Sequence, residues 1–256
     1  PGEPMSTTLA REHALHALRA ADIILQAADA LSTAHALGIL HRDLKPDNIM
    51  LAKTRSGTDL VKLVDFGIAR VMSSNTQAFT STGIIVGTPD FMSPEQITGD
   101  ALDIRSDIYA LALIAFTALT GASAFPGGNS RETLLARLTQ PPRRLKEVKD
   151  DLPWPDELQK VFDRALAADR DERFGDATEF AQALDEAVGT MPATKTMELY
   201  RSALLARTTP SRSKSVTPPS LPRVDAEVPR REAPKPAPPA PENADAASHS
   251  GAGWTQ

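Results

Sequence analysis

The chain of 256 residues contains no cysteine, and this absence excludes several kinds of site at once. Without thiols there is no disulfide bond, no zinc–thiolate or iron–sulfur centre and no cysteine nucleophile. Long apolar runs are also missing, because the longest, residues 108–119, is shorter than the roughly 20 residues that cross a bilayer. The first ten residues lack the apolar core of a secretory signal peptide.

An excess of positive charge is missing as well. The chain has 28 lysines and arginines against 33 acidic residues, which gives a net charge of −5. Such a balance provides no general attraction for nucleic acid or anionic lipid, so we expect no nucleic-acid partner. The hydrophobic fraction of 41% and the charged fraction of 24% are typical of a soluble globular chain.

Proline is concentrated at the C-terminal end of the chain. Ten of the 21 prolines fall within residues 208–256, a stretch without any apolar periodicity. Such a composition does not bury enough apolar area to offset the entropy of ordering. We therefore predict a disordered, proline-rich linker over 208–256, with docking sites for proline-reading modules as the minority alternative.

The rest of the chain has the periodicity of helices with a small β element. Apolar residues at steps of three and four predict a helix over 15–37, followed by Gly38 where helices commonly end. Two short β-rich runs, 49–51 and 60–64, flank a Ser56-Gly57 turn and predict a hairpin. Further helices are predicted over 106–119, where nearly every residue is apolar, and near 131–138, 156–167 and 176–188.

Polar motifs interrupt this pattern in a fixed order. Residues 41–48 read HRDLKPDN, residues 65–67 read Asp-Phe-Gly, and Gly-Thr-Pro at 87–89 precedes Ser-Pro-Glu at 93–95. With these motifs the chain resembles the serine/threonine branch of the eukaryotic-type protein kinases. The sequence GTPDFMSPEQ resembles that of bacterial members of this family. Eight consecutive positions match, and the other motifs follow in order. The probability that this agreement arises by chance is below about one in a hundred. The resemblance covers about residues 5–188.

The resemblance implies a transferase that moves the γ-phosphate of ATP, with Mg²⁺, to serine or threonine of protein substrates. It implies that Asp43 is the catalytic base and that Lys45 reaches the transferring phosphate. It implies that Asn48 and Asp65 bind Mg²⁺, and that Thr88 ties the peptide-binding loop to the catalytic groups. These residue types suit the reaction, which requires a proton acceptor, cations and hard oxygen ligands. Without the motif context, both aspartates are ordinary turn residues.

Other matched positions are expected to support the site. By resemblance, Met50 forms the apolar floor under the adenine, and Asp107 holds the backbone of the catalytic loop. Glu95 and Arg173 resemble a buried ion pair that anchors the activation segment. Structural positions are further implied for His41, Arg42, Phe66 and Gly67, with the histidine packed under the phenylalanine, while His35 is expected to be a packed or capping residue.

Hydroxyl residues are dense between residues 70 and 87, which correspond to the activation loop of the family. Arg42 precedes the catalytic aspartate, a pattern found in kinases that are switched by activation-loop phosphate. A phosphate adds nearly two negative charges and can pair with Arg42, which orders the loop. We expect such control, with Thr80 and Thr82 as the candidates; a merely polar mobile loop is the alternative.

The features of the family's small lobe are missing. The sequence has no G-x-G-x-x-G loop, no lysine on a V-A-x-K-like strand and no glutamate-bearing helix after one. We therefore expect a protein-kinase-like α+β fold: a mainly helical C-terminal lobe over 1–190 with small β hairpins, truncated before its N-terminal lobe. A short helical extension over 191–207 and the disordered linker follow. The missing lobe is an expected partner, and little turnover is expected from this chain alone.

Two other functions stay open. If the chain is complete as written, it is a catalytically inactive kinase-like scaffold or binding module. A small-molecule phosphotransferase of related fold is disfavoured, since Lys45-Pro46, Thr88 and the Ser-Pro-Glu segment serve a peptide substrate. The lack of cysteine fits the cytoplasm. In bacterial relatives such a linker often leads to a membrane span, so a membrane tether outside this chain is a further expectation.

Overall fold

The structure is a computed structural model that describes residues 2–67, 89–127 and 130–208. Internal contacts divide the chain into one unit, Pro1–Ser211, and a second unit, Arg212–Gln256. The second unit lies outside the described residues, so the linker expected over 208–256 falls almost wholly outside them.

Helices make up most of the described chain, and a small antiparallel sheet accompanies them. In chain order the elements are β1 (Glu3–Pro4), α1 (Met5–Glu12), α2 (Ala17–Ala36), β2 (Ile49–Lys53), β3 (Asp59–Leu63), α3 (Pro94–Thr98), α4 (Ile104–Thr120), α5 (Ser130–Thr139), α6 (Leu145–Val148), α7 (Asp156–Ala165), α8 (Ala177–Gly189) and α9 (Lys195–Thr208). The predicted mainly helical fold with a small β hairpin is confirmed.

The sheet has the strand order β1-β2-β3 with antiparallel pairing throughout. Strands β2 and β3 form the predicted hairpin, and their register runs from Ile49 opposite Leu63 to Lys53 opposite Asp59. Gly57 in the turn has a φ of 84°, which explains the glycine, because a side chain strains the backbone there. Strand β1 was not predicted from the sequence and adds two residues beside β2.

Helix α4 is the centre of the core. Fourteen of its residues are buried, as the continuous apolar run predicts. Helix α2 packs against α4, α8 and β3, and Phe116 on α4 meets Phe162 on α7 edge to face, with ring centroids 5.3 Å apart. Burying each such large apolar side chain stabilises the fold by about 1.5–3 kcal/mol. The core thus fixes α2 and α4, the two helices that flank the polar loop at 41–48.

Two helix starts differ from the sequence prediction. Helix α2 begins at Ala17 rather than at Leu15, because the N–H of Leu15 donates to the carbonyl of Ala118 at 2.6 Å instead of entering the helix. Helix α4 begins at Ile104, two residues before the predicted start at residue 106. Its cap is Asp103, whose carboxylate accepts the N–H of Arg105 at 2.8 Å.

Helix α8 is capped by Asp176, which lies three residues before Glu179, the spacing of a capping box. The carboxylate of Asp176 accepts the N–H of Glu179 at 2.8 Å. The returning side chain of Glu179 accepts the N–H of Gly175 at 2.9 Å instead of the N–H of the cap residue. No helix in the described ranges combines the length and the apolar character that a membrane crossing requires.

Candidate active site

The loop at residues 41–48 connects α2 to β2 and is anchored from below by one side chain of the core. Asp107 on α4 is 2% exposed, and its carboxylate accepts the backbone N–H of His41 at 2.8 Å and that of Arg42 at 2.9 Å. Hydrogen bonds to a buried carboxylate are among the stronger ones in proteins. The backbone of the loop is therefore fixed to the most buried helix of the fold.

His35 joins the same anchor. Its Nε2 lies 2.8 Å from Oδ2 of Asp107, and its side chain is almost fully buried. The sequence predicts a packed histidine here, but only the fold shows that it packs against the carboxylate that holds the loop. His35 therefore orients Asp107, and the sequence alone carries no signal of that contact.

The anchored backbone is strained at Arg42, which has a φ of 62°. A residue other than glycine in this left-handed region costs on the order of 1–3 kcal/mol and persists only where its surroundings enforce it. The bond from the Arg42 N–H to Asp107 enforces it on one side. On the other, the Gln96 side-chain amide donates to the Arg42 carbonyl at 2.8 Å. Gln96 was not singled out from the sequence; only its place directly after Ser-Pro-Glu marks it.

The loop contains a group of side chains connected by hydrogen bonds, namely Asp43, Lys45 and Asn48. Lys45 Nζ lies 2.9 Å from Oδ2 of Asp43, and the pair is partly exposed. Asn48 is buried, and its Nδ2 donates to the backbone carbonyl of Asp43 at 2.8 Å. Because the amide nitrogen of Asn48 is used in this bond, its amide oxygen is the atom left to bind a cation.

Asp65 is brought to this group by the hairpin. Asn48 directly precedes β2, and Val64 directly follows β3; the N–H of Val64 donates to the Asn48 carbonyl at 3.0 Å. Asp65 is the next residue, with an exposed side chain and a φ of 55°. The hairpin therefore brings the backbone at Val64 and Asp65 next to Asn48, 17 positions earlier in the sequence.

Gly67 closes the connection back to the loop. Its N–H donates to the carbonyl of His41 at 2.9 Å. A Cβ at this position would lie 2.8 Å from that carbonyl oxygen, closer than real Cβ atoms approach, so the contact requires glycine. The Asp-Phe-Gly segment is thus tied to the loop at both ends, through Val64 and through Gly67.

His41 lies beneath the site and is fully buried. Its ring packs against Phe66 with centroids 4.6 Å apart, as the family resemblance implies, and its Nε2 lies 3.1 Å from the carbonyl of Val64. Burial lowers the pKa of His41. A neutral imidazole that donates from Nε2 to this carbonyl is therefore the form favoured near pH 7.

The flanks of the site are formed by β2 and by the chain before α3. Met50 is half-buried on β2, between Pro4 of β1 and Lys62 of β3. A shallow cleft beside the loop is lined by residues that include Asp43, Lys45, Phe91, Met92 and Gln96.

Glu95 and Arg173 form a buried bidentate ion pair. Nη1 of Arg173 lies 2.8 Å from Oε1 of Glu95, and Nη2 lies 2.9 Å from Oε2. Ser106 donates a further hydrogen bond to Oε1 at 2.6 Å. Burial by itself raises the pKa of Glu95, but the bonds from Arg173 and Ser106 outweigh it and leave this pKa below its ordinary value. The pair joins the start of α3 to the chain before α8.

The remaining predicted positions are Thr80, Thr82 and Thr88, which lie outside the described residues.

A Mg²⁺ ion fits the donors that are described. Mg²⁺ prefers hard oxygen ligands and retains phosphate and water oxygens, so one carboxylate from Asp65 and one amide oxygen from Asn48 suffice. Nowhere in the described ranges do three His, Asp or Glu side chains gather as a metal cluster.

Comparison with known proteins gives consistent matches. A family profile described as "Protein kinase domain" matches residues 1–187. The serine/threonine-protein kinase pkn3 of Myxococcus xanthus is 35% identical over 233 residues, which are 89% of this chain and 42% of that protein. The serine/threonine-protein kinase PknD of Mycobacterium tuberculosis is 38% identical over 172 residues, 67% of this chain and 25% of that protein. The chain thus spans less than half the length of these relatives.

Solved structures show the same similarity. The crystal structure of the Mycobacterium tuberculosis PknI kinase domain superposes with a TM-score of 0.54 at 31% identity, covering 73% of this chain and 62% of that one. The crystal structure of the Rad53 kinase domain has a TM-score of 0.55 at 20% identity, covering 75% of this chain and 68% of that one, and it supports the fold alone.

Proposed function

This chain belongs to the protein kinase family, and we propose that it is the catalytic large lobe of a serine/threonine protein kinase. The proposed reaction moves the γ-phosphate of ATP to a serine or threonine hydroxyl of a protein substrate. The main support is the connected group at the loop: Lys45 bonded to the Asp43 carboxylate and Asn48 bonded to the Asp43 carbonyl. Further support is the hydrogen bond from the Val64 N–H to the Asn48 carbonyl, which brings the chain at Asp65 close to Asn48.

The Asp43 carboxylate is the proposed proton acceptor. The substrate hydroxyl oxygen forms a bond to the γ-phosphorus, the bond from that phosphorus to the β,γ-bridging oxygen breaks, and the hydroxyl proton passes to Asp43. Lys45 is partly exposed and only 2.9 Å from this carboxylate, so its ammonium can follow the charge onto the transferring phosphate. Both groups are carried by a backbone that Asp107 holds in place, which orients them before the substrate arrives.

Asn48 and Asp65 are the proposed Mg²⁺ ligands, through the amide oxygen and the carboxylate respectively. Held by these two residues, a Mg²⁺ ion would supply positive charge against the negative charge that develops on the transferring phosphate. The bond from Asn48 to the Asp43 carbonyl turns the amide oxygen away from the backbone and keeps it available. The positive φ of Asp65 is a conformation that the neighbouring Gly67 contact stabilises.

Other parts of the proposal concern the substrates and their binding. Met50 is the proposed floor for the adenine, and Thr88 is the proposed link between the peptide-binding loop and the catalytic groups. We further propose that ATP is held from above by a small lobe that bears the glycine-rich loop and lysine, since the 256 residues contain neither motif. The proposed place of action is the cytoplasm, either free or as the cytosolic part of a membrane-anchored kinase.

Regulation by phosphate is also proposed, with Thr80 and Thr82 as the candidate acceptors. The support from the described residues is Arg42, whose buried Nε has no hydrogen-bond partner within the described part of the chain. A phosphate supplies the acceptors that a guanidinium requires. Mass spectrometry of active protein that finds no phosphate on residues 73–82 would remove this part of the proposal.

The test of the function uses the longest natural reading frame that contains residues 1–256. The purified protein is incubated with radiolabelled ATP, Mg²⁺ and a serine/threonine protein substrate, beside its Asp43→Asn variant. We expect transfer by the parent and a loss of about 10²–10⁴-fold in the variant. The control is Glu157→Gln, an exposed substitution on α7 that should change nothing. A folded parent protein without any transfer would instead support the inactive scaffold.

A further inference from the structure

Arg137 on α5 is an arginine that is buried together with Leu134 and Ala136 of the same helix. It is 1% exposed and is one of the largest fully buried side chains in the described ranges, whereas Arg131 on the same helix is exposed. Burying a guanidinium costs several kcal/mol unless hydrogen bonds compensate for the lost water. The partners of Arg137 therefore explain why the helix carries it.

The guanidinium of Arg137 contacts the short 3-10 turn Pro89–Phe91 and the residue after it. Nη2 donates to the carbonyl of Asp90, and Nη1 donates to the carbonyl of Met92 at 3.4 Å. The Phe125 ring lies 6.0 Å from the guanidinium carbon, within the range of cation–π attraction. Arg137 thus binds the backbone of two residues that are two positions apart in one short segment.

This segment borders the cleft that contains Asp43 and Lys45. Phe91 and Met92 line the cleft, and the chain then enters α3, where Gln96 bonds to the catalytic loop. The nucleotide side of the site is anchored differently, because Asp107 holds the loop backbone without any contribution from α5. Each side of the site therefore has a support of its own, and the Gln96 bond to Arg42 links the two.

We propose that Arg137 is a positioning residue that holds segment 89–92 in the shape that accepts the polypeptide substrate. This inference rests on the proposed kinase function and extends it to the binding of the protein substrate. Loss of Arg137 leaves two carbonyls of the segment without their donor and frees the cleft wall from α5. This loss lowers the apparent affinity for the protein substrate and leaves the apparent affinity for ATP unchanged.

The geometry distinguishes arginine from lysine at this position. Two N–H groups of a planar fork reach two carbonyls at once, whereas a lysine ammonium at the end of a flexible chain has no such fixed spacing. Arg137→Lys therefore retains the charge and part of the hydrogen bonding, and Arg137→Met retains neither. A graded effect in the order arginine, lysine, methionine follows from this difference.

Steady-state kinetics of the natural full-length protein, with a serine/threonine protein substrate and ATP varied separately, test the inference. For Arg137→Met we expect the KM for the protein substrate to rise about tenfold and the KM for ATP to stay within about twofold. Arg137→Lys should fall between this variant and the parent. The matched control is Arg131→Met, which removes an exposed arginine from the same helix and should leave both constants unchanged.

Hydrogen exchange identifies the cause of the change. In folded Arg137 variants, the amides of residues 90–97 should exchange faster, while those of the catalytic loop keep their protection. If Arg137→Met does not fold, Arg137→Lys carries the test. An unchanged KM for the protein substrate, or a fall in kcat alone, would overturn the inference. A parent without activity would overturn the proposed function, and this inference with it, a result recognisable because the failure precedes any substitution.

Discussion

Replacing Arg173 by leucine is expected to lower the free energy of unfolding by about 3–5 kcal/mol, because it leaves the buried carboxylate of Glu95 without its cation. The number of hydrogen bonds that Arg173 makes supports a loss at the upper end of this range. Besides both oxygens of Glu95, Arg173 donates to three backbone carbonyls, those of Arg105, Ala167 and Ala168. After the substitution, Glu95 keeps only the bond from Ser106 and its own backbone environment.

Removing the other partner is expected to cost less. In Glu95→Leu the guanidinium of Arg173 keeps its three carbonyl acceptors and its position 4.6 Å from the Tyr109 ring. The double variant Glu95→Leu/Arg173→Leu should lose less than the sum of the two single losses, by about 1–3 kcal/mol, because neither charge is then left buried alone. Arg173→Leu should thus lower the free energy of unfolding more than Glu95→Leu, because Arg173 without Glu95 keeps more hydrogen-bond partners than Glu95 without Arg173.

Urea unfolding followed by far-UV circular dichroism measures all three variants. The control cycle uses Glu157 and Lys160 on α7, an exposed pair 3.8 Å apart, where each substitution should stay within about 0.5 kcal/mol. Single losses below about 1 kcal/mol at the buried pair, or strictly additive losses, would refute the reasoning.

The same pair has a definite pH dependence. Because the folded pKa of Glu95 lies below its ordinary value of 4.5, the charge contributes stability above about pH 4.5. That contribution is lost as the pH falls through the folded pKa. In Arg173→Leu, the burial of Glu95 is the dominant effect and favours its neutral carboxylic acid. Acidification therefore reduces the destabilisation of this variant. The stability deficit relative to the parent should therefore begin to shrink above pH 4.5, where the variant takes up its proton, and shrink further below pH 4.5 as the parent loses its ion pair; a deficit that grows on acidification would contradict the assignment.

Three further substitutions follow from the backbone of the site and its surroundings. Gly67→Ala places a Cβ 2.8 Å from the carbonyl of His41, so phosphotransfer should fall about tenfold or more while the urea midpoint moves little; unchanged transfer would contradict the contact. Asp107→Asn leaves one oxygen for the two backbone N–H groups and His35, so the amide of His41 or of Arg42 should exchange faster and transfer should fall about tenfold, whereas unchanged exchange of both amides would show a different anchor. His13 has a φ of 60° between α1 and α2, and His13→Gly should raise stability by about 1 kcal/mol; a lower urea midpoint would exclude strain there.

The local parts of the fold could be predicted from the sequence. The Ser56-Gly57 turn, the apolar run of α4 and the Asp176 cap of α8 are signals contained within a few residues, and each element forms where its signal lies. The motifs at 41–48 and 65–67 likewise predict a shared site, since the family spacing includes the hairpin between them. The predictions of the secondary-structure elements succeed because backbone hydrogen bonding and apolar periodicity act over short distances in sequence.

The parts that could not be predicted depend on distant residues. Strand β1 exists only because Glu3 and Pro4 pair with β2, and two residues carry no periodicity of their own. Leu15 leaves the helical pattern because its N–H bonds to Ala118 on α4. The burial of Arg137 likewise depends on distant residues, since the carbonyls of Asp90 and Met92 accept its hydrogen bonds. Such contacts become visible only when the tertiary structure is known.

The central claim is that Asp43, Asn48 and Asp65 act on one metal-bound nucleotide. Paramagnetic Mn²⁺ substituted for Mg²⁺ tests this directly on the chain of residues 1–256, because relaxation enhancement detects weak binding. With ATP present, the resonances of these three residues should broaden together, and the broadening should weaken in Asn48→Ala and in Asp65→Ala. Broadening elsewhere in the chain, or broadening that persists in both variants, would contradict the shared site.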